Sequence, residues 1–387
     1  MLAFLSERFG WSPVTEVLEG RENIIALTRD KQSITLEPGG QVEMSGAPAR
    51  TLREVKDELT RHTNELEYLM DRFGVRFEWR GLNPRQTPET AHWMPKGRYR
   101  FMRRYMPTVG DRGLWMMSLT CTVQVNLDFQ DEAHFSRGLK TGTGLSALIT
   151  ALFANSPLTL GEPNGYQSYR SHIWTRTDPA RSHLHRFVFD TDAGFEDYIE
   201  WLLDTPMYFI YRKGYREVPK GLTFRQFMRG GLPGEGPDLD DWKLHVSTVF
   251  PDVRARPHLE FRSADVVPPW MIPALPALCV GVFYDAGALE AAWDLVKGWT
   301  FDERVMFAAD VAKDALRARR PRGKGTAQDL CRDLLQIAQE GLERETRAGR
   351  GAAEDVTYLK PLWDIVDSGR TLADRVLAGE RVQDVTA

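Results

Sequence analysis

Thr120-Cys-Thr-Val-Gln-Val-Asn-Leu-Asp-Phe129 alternates strictly between apolar and polar side chains. An extended backbone sends Cys121, Val123, Val125 and Leu127 to one side, and Thr122, Gln124, Asn126 and Asp128 to the other. β-Branched residues suit that backbone, so the apolar side predicts a core contact. The opposite side carries amide, hydroxyl and carboxylate groups, which bond ligands well, in place of the Lys and Glu of an ordinary solvent face. Two further stretches repeat the pattern. Ser33–Ser45 predicts a hairpin, with Ile34 and Leu36 on one side and Thr35 and Glu37 on the other. Pro38-Gly39-Gly40 turns it, and Gln41, Glu43 and Ser45 alternate with Val42 and Met44. In Arg256–Asp265, Leu259 and Phe261 oppose His258, Glu260 and Arg262. If these strands share one sheet, Glu37, Glu43, Gln124, Asn126, Glu260 and Arg262 line a common polar face.

Composition narrows the classes. A chain of 387 residues with 42% hydrophobic content builds a sizeable core, and its length suits two or three average domains or one large wrapped sheet. A net charge of −4 gives no electrostatic reason to expect nucleic acid. No apolar run approaches the roughly 18 residues of a membrane-spanning helix. The N-terminal Met-Leu-Ala-Phe-Leu-Ser-Glu-Arg meets its acid too early for a signal peptide, so a cytoplasmic protein is expected. Cys121, Cys279 and Cys331 are too scattered for a disulfide framework or a zinc site.

Around these strands the periodicity predicts short helices over residues 2 to 29, a longer helix over Thr51–Phe73 and another over Ser136–Phe153. Phe77–Gly81 reads as a further strand, and Pro268, Pro269, Pro273 and Pro276 read as breaks. Met94–Met106 interleaves Lys96, Arg98, Arg100, Arg103 and Arg104 with aromatics, as either a solvated helix face or a segment that binds a small anion. Arg170 and His172 are candidates for a substrate clamp, Arg170 the better one. Met207–Phe209 either floors a pocket or fills the core. His183-x-His185 has metal-ligand residue types but lacks further ligands nearby.

Carboxylates gathered on one face repel one another and resist desolvation. A hard divalent cation resolves this, and Mg²⁺ brings nucleotide phosphates with it. The polar face therefore points to a metal–nucleotide site, against the plainer reading of a half-exposed sheet that keeps its acids in water. The strand pattern leaves both open.

Longer motifs bear on that choice. Ser33–Pro48, Pro95-Lys-Gly-Arg-Tyr99, Thr120–Phe129, Leu152-Phe-Ala-Asn-Ser-Pro157, Arg170-Ser-His-Ile-Trp174, Thr223-Phe-Arg-Gln-Phe227 and Phe250-Pro-Asp-Val-Arg254 occur in an order that resembles the glutamate–cysteine ligases of the plant and proteobacterial type. The likeness runs from about Phe9 to about Trp299 and more weakly to the C-terminus. It implies an α+β fold with a glutamine-synthetase-like antiparallel β-sheet, its polar concave face wrapped by helices, as a single catalytic domain over residues 1–387. It implies an ATP- and Mg²⁺-dependent enzyme. Phosphate passes from ATP to the γ-carboxylate of glutamate, and the cysteine amine displaces it to give γ-glutamylcysteine, the first step towards glutathione. By the same resemblance Glu43 and Glu260 hold magnesium with Gln124 beside them. Arg170 grips glutamate, and Tyr208, Met207 and Asn126 line the amino-acid pocket. Arg262, Lys96 and Arg98 neutralise phosphoryl charge, and Glu37 is either a ligand or, the preferred reading, a structural acid of the hairpin. The implied partners are glutamate, cysteine and ATP, with neither nucleic acid nor membrane, in a monomer or homodimer.

The family's first strand, Gly-Thr-Glu-His-Glu-Lys-Phe, has no counterpart in this sequence, so a short metal cluster is expected. Lys56 with Pro273, and Pro219 with Gly234, stand where plant members carry cysteine pairs, so their redox switch is not expected here. Two other readings stay open: a glutamate ligase with another amine acceptor, and a non-catalytic truncated relative.

Overall fold

The computed structural model describes residues 1–18, 20–190 and 192–382. Helix α1 (Leu2–Phe9) leads into four antiparallel strands that pair in chain order: β1 (Ser12–Leu18), β2 (Arg21–Arg29), β3 (Gln32–Leu36) and β4 (Val42–Ser45). The hairpin expected at residues 33–45 is present as β3–β4, with Thr35 opposite Glu43. Short helices over the whole of residues 2–29 are not. Val14, Val17 and Leu18 fit helical spacing, but Pro13, Thr15, Ile24 and Ile25 sit in a run rich in β-branched residues. That run becomes the β1–β2 pair, turned at Gly20 with φ +76°.

Helix α2 (Leu52–Phe73) starts at a capping box, in which Thr51 Oγ1 accepts from Glu54 N while the Glu54 carboxylate accepts from Thr51 N. It covers the first sheet through Leu66 and Leu69, packed with Leu27 and Ile34. Phe77–Gly81 is not a strand. Its polar backbone is taken by Asn155 instead, whose side-chain amide donates to Trp79 O at 2.8 Å and whose carbonyl accepts from Gly81 N at 3.0 Å.

The basic segment forms α3 (Gly97–Tyr105), followed by α4 (Gly113–Leu119). Strand β5 (Val125–Leu127) is shorter than the alternation suggested. Before it, Thr122 bridges to Asp265 and its hydroxyl donates to Ala264 O at 2.7 Å. β5 pairs with Leu259–Phe261, which pairs with Val253–Ala255, both antiparallel. One continuous sheet is therefore not formed. β4 and β5 are edges of two different sheets. The sheets are joined by packing: Gln41 Nε2 donates to Met117 O and Thr120 O, and Gly39 lies so close to α4 that a Cβ there would stand 1.9 Å from Ser118 O.

Behind the second sheet runs α5 (Glu132–Leu152), buried on every side from Thr141 onwards. Strand side chains press directly on its glycines, and a Cβ at Gly142 would meet Phe261 at 2.5 Å. Pro268 and Pro269 interrupt regular structure as expected, but Pro273 and Pro276 do not. Pro273 caps the helix Ala274–Phe283 and Pro276 lies in its first turn, where no N–H is needed. That helix packs with α5, Ala286–Val296, Phe301–Asp314 and Ala327–Arg347 into the largest hydrophobic core. The expected α+β class stands, with short antiparallel ladders held by helices. Among the described residues no single helix is long and apolar enough to cross a membrane.

Candidate functional site

Between the two sheets lies a cavity of about 1930 Å³. Its walls include the hairpin from Glu37 to Ala47, the segment Cys121–Gln130, and Arg254, Arg256, His258, Glu260 and Arg262 from the second sheet. Arg98 from α3 and the rings of Trp174 and Phe250 complete this polar end. Glu37, Glu43, Gln124, Asn126, Glu260 and Arg262 thus share one cavity although they do not share one sheet.

Glu260 is 6% exposed and forms the centre of an ionic cluster. Arg254 donates through Nε to Oε2 at 2.7 Å and through Nη2 to Oε1 at 2.9 Å. Arg262 Nη1 donates to Glu260 Oε1 at 2.6 Å and to Gln124 Oε1 at 3.1 Å. Burial alone would raise the Glu260 carboxyl, but Arg262 and Arg254 outweigh it and hold the group down at about 2. Arg262 in turn is pulled down to about 10 by burial and by Arg254, and stays cationic at neutral pH.

Glu43 is in the opposite situation. Its side chain is exposed towards the cavity, and desolvation by the surrounding walls, together with Glu37 and Glu260, pushes its carboxyl up to about 7 against the pull of Arg262 and Arg254. The charged form is disfavoured in the folded state, so Glu43 works against folding as pH rises from 4.5 through about 7. Glu43→Gln is therefore expected to gain stability over wild type at pH 8 and to match it at pH 4 in metal-free thermal unfolding. A stability difference that does not change between the two pH values would reject this.

Glu37 stands beside Glu43 in the cavity wall, which suits a ligand as well as the hairpin acid expected from sequence. Among the described residues no three His, Cys, Asp or Glu gather as a metal cage. Two carboxylates that repel one another, with the Gln124 and Asn126 amides nearby, are nevertheless a donor set of hard oxygens. Magnesium asks for no more, because it takes one or two carboxylates and completes its shell with phosphate and water.

Arg98 lines the cavity. Burial opposes its charge, but Tyr99 and Glu37 outweigh that and raise it. Lys96 is half-buried just outside the lining, lowered by burial with Glu37 pulling the other way. Asn126 faces the cavity opposite Glu260 in the ladder. Arg170, Tyr208 and Met207 are not in the lining. Arg170 is 3% exposed directly behind Arg262, donating through Nη2 to the Arg262 carbonyl at 2.7 Å and standing 3.8 Å from Asp265. Asp265 is held by Asn155 N, Ser156 Oγ and Ser168 Oγ. Tyr208 lies under the buried Arg181 guanidinium, 3.8 Å from its ring centroid, and Met207 packs with Ile210, Leu222, Phe224 and Phe227. His183 pairs with Asp252 at 3.2 Å, and neither it nor His185 lines the cavity. All three cysteines are free.

Sequence reading gave no role to Arg254 or Arg256. Their signal was present as register: a tight turn between Val253–Ala255 and Leu259–Phe261 places Arg254 directly opposite Glu260.

Residues 4–386 match the glutamate–cysteine ligase family 2. The chain is 45% identical over 380 residues to the chloroplastic glutamate–cysteine ligase of Solanum lycopersicum, covering 97% of this chain and 70% of that one. The Arabidopsis thaliana enzyme gives the same figures, and glutamate–cysteine ligase B of Oryza sativa subsp. japonica is 44% identical over 376 residues, covering 96% and 73%. These relatives overturn the expectation of a cytoplasmic protein, since each is a chloroplastic enzyme.

Proposed function

This chain belongs to the glutamate–cysteine ligase family, and from that premise we propose how its cavity carries out the reaction. The enzyme is a ligase that joins glutamate to cysteine, giving γ-glutamylcysteine on the way to glutathione. The observation that carries this reading is the family match along residues 4–386, joined to a cavity in which the motif acids and arginines converge.

ATP activates the γ-carboxylate of glutamate as an acyl phosphate, and the cysteine amine attacks that carbonyl carbon and expels phosphate. Glu43 and Glu37 are the groups that would hold the accompanying magnesium, whose charge offsets that of the phosphates. Glu260 is not free for that role in this arrangement, since both its oxygens are bonded by arginines. Arg262 and Arg98 face the cavity as fixed cations where charge builds on the transferred phosphoryl oxygens. Lys96 adds positive potential from just behind. Asn126 presents its amide to the amino-acid substrate. Arg170 serves the site from behind, by holding the Arg262 carbonyl, and Tyr208 and Met207 support that wall as core. Residues 1–387 act as one catalytic domain.

Incubation of the full chain with ATP, Mg²⁺, glutamate and cysteine is expected to release ADP and γ-glutamylcysteine together, followed by mass spectrometry. ADP release that ignores glutamate would refute the proposal, and equal turnover with non-thiol amines would move the acceptor away from cysteine. Arg170→Lys keeps the charge but loses the guanidinium fork. It is expected to lower kcat more than it raises the KM for glutamate, and the reverse split would place Arg170 on the substrate itself.

A further inference from the structure

Arg254 is the most firmly anchored cation of the cavity. Besides its two bonds to Glu260, its Nη1 donates to the Val249 carbonyl at 3.2 Å, and the residue is only 9% exposed. The register Arg254↔Glu260 fixes the pair across the ladder, and β5 on the far side of Glu260 carries Gln124 just before its start. A continuous chain of bonds results: Val249 carbonyl, Arg254, Glu260, Arg262, Gln124. Arg256, whose Nε stands 4.0 Å from Glu260, is only loosely attached to it.

Charge makes this arrangement directional. One carboxylate serves two guanidiniums, so the trio keeps one positive charge that nothing in the cluster cancels. Arg254 is tied to the backbone, which leaves Arg262 as the cation with a free edge towards the cavity. An arginine in open space loses rotamer freedom when it is held, and a donor fixed beforehand stabilises developing charge without reorganising.

We propose that Arg254 is a positioning residue for the ligase reaction, which through Glu260 fixes the Arg262 guanidinium where the transferred phosphoryl group gathers charge. This inference rests on the function proposed above.

The test compares wild type with Arg254→Ala and Arg254→Lys in the full chain. Arg254→Ala is expected to lower kcat roughly 100-fold, the size of effect seen when one fixed donor is lost, and to leave the KM for glutamate within about 2-fold. Added guanidinium ion should restore roughly 10-fold of that loss by refilling the fork. Arg254→Lys, a point charge without the fork, should stay as slow as Arg254→Ala. A second readout needs no turnover. In protein labelled with ¹⁵N-arginine, the side-chain N–H signals of Arg262, assigned by their loss in Arg262→Lys, should exchange with solvent faster in both Arg254 variants. If Arg254→Ala does not fold, Arg254→Lys carries both comparisons. Wild-type kcat in a folded variant, or unchanged Arg262 exchange, would overturn the proposal. A wild-type protein that makes no γ-glutamylcysteine would remove the functional premise, while the exchange measurement still judges whether Arg254 fixes Arg262.

Discussion

Glu260→Gln is expected to cost about 3–5 kcal/mol of stability and to lower turnover roughly 100-fold or more. The strand pattern alone suggests a milder outcome, because glutamine matches glutamate in volume and the fold should survive. The tertiary structure changes that expectation. Glu260 is the counter-charge for both Arg254 and Arg262, and its side chain is 8% exposed. Removing the charge leaves two buried guanidiniums facing each other with only an amide between them. The pH dependence follows from the depressed carboxyl. Its folded-state value of about 2 lies below the ordinary 4.5, so its contribution is complete above pH 4.5 and is lost as pH falls towards 2. The stability gap between wild type and Glu260→Gln in urea should therefore be constant above pH 4.5 and narrow below it. A variant as stable and as active as wild type at pH 7 would rule out the ionic cluster.

Arg181→Met should be as damaging to stability, at about 3–5 kcal/mol, at a residue outside the cavity lining. Arg181 is fully buried and pairs through Nε with Asp178 Oδ2 at 2.6 Å. Its Nη1 donates to Thr248 O at 3.3 Å and Oγ1 at 3.2 Å, its Nη2 to the Pro206 carbonyl, and the guanidinium covers the Tyr208 ring. Methionine fills most of the volume but leaves the Asp178 carboxylate, 1% exposed, with no cation. Arg181→Met/Asp178→Asn should recover part of the loss, since the stranded charge goes too. Equilibrium unfolding of the two single variants and the double one reads the coupling directly. A single variant within about 1 kcal/mol of wild type would mean that the pair contributes little beyond its packing.

Much of this was legible from neighbouring residues alone. The hairpin Ser33–Ser45 declares itself through alternation and Pro38-Gly39-Gly40, and it forms with Thr35 opposite Glu43. The helices near Thr51–Phe73 and Ser136–Phe153 follow from periodicity, and each appears within a few residues of its expected bounds. Failures came where another segment takes the hydrogen bonds. Phe77–Gly81 has strand-like composition, but Asn155, far along the chain, claims its backbone groups. The β1–β2 region misled for another reason, because Val14, Val17 and Leu18 satisfy helical spacing while partners in the next strand decide the matter.

The site divides along the same line. Residue type and alternation were enough to select Glu43, Gln124, Asn126, Glu260 and Arg262 as members of one polar surface, because side-chain direction along a strand is a local property. Which of those acids is free and which is neutralised is not local. Glu43 and Glu260 look equivalent in sequence, yet one is pushed up to about 7 and the other held at about 2. The difference comes from Arg262 and Arg254, the latter brought opposite Glu260 by a turn, and at Glu43 from desolvation first and then from Glu37, brought beside it by the hairpin. Sequence determined the hairpin and the long helices and the chemistry available on their faces; tertiary structure alone decided the charge each group meets, because electrostatic energy depends on distance and burial across segments that the chain order does not place together.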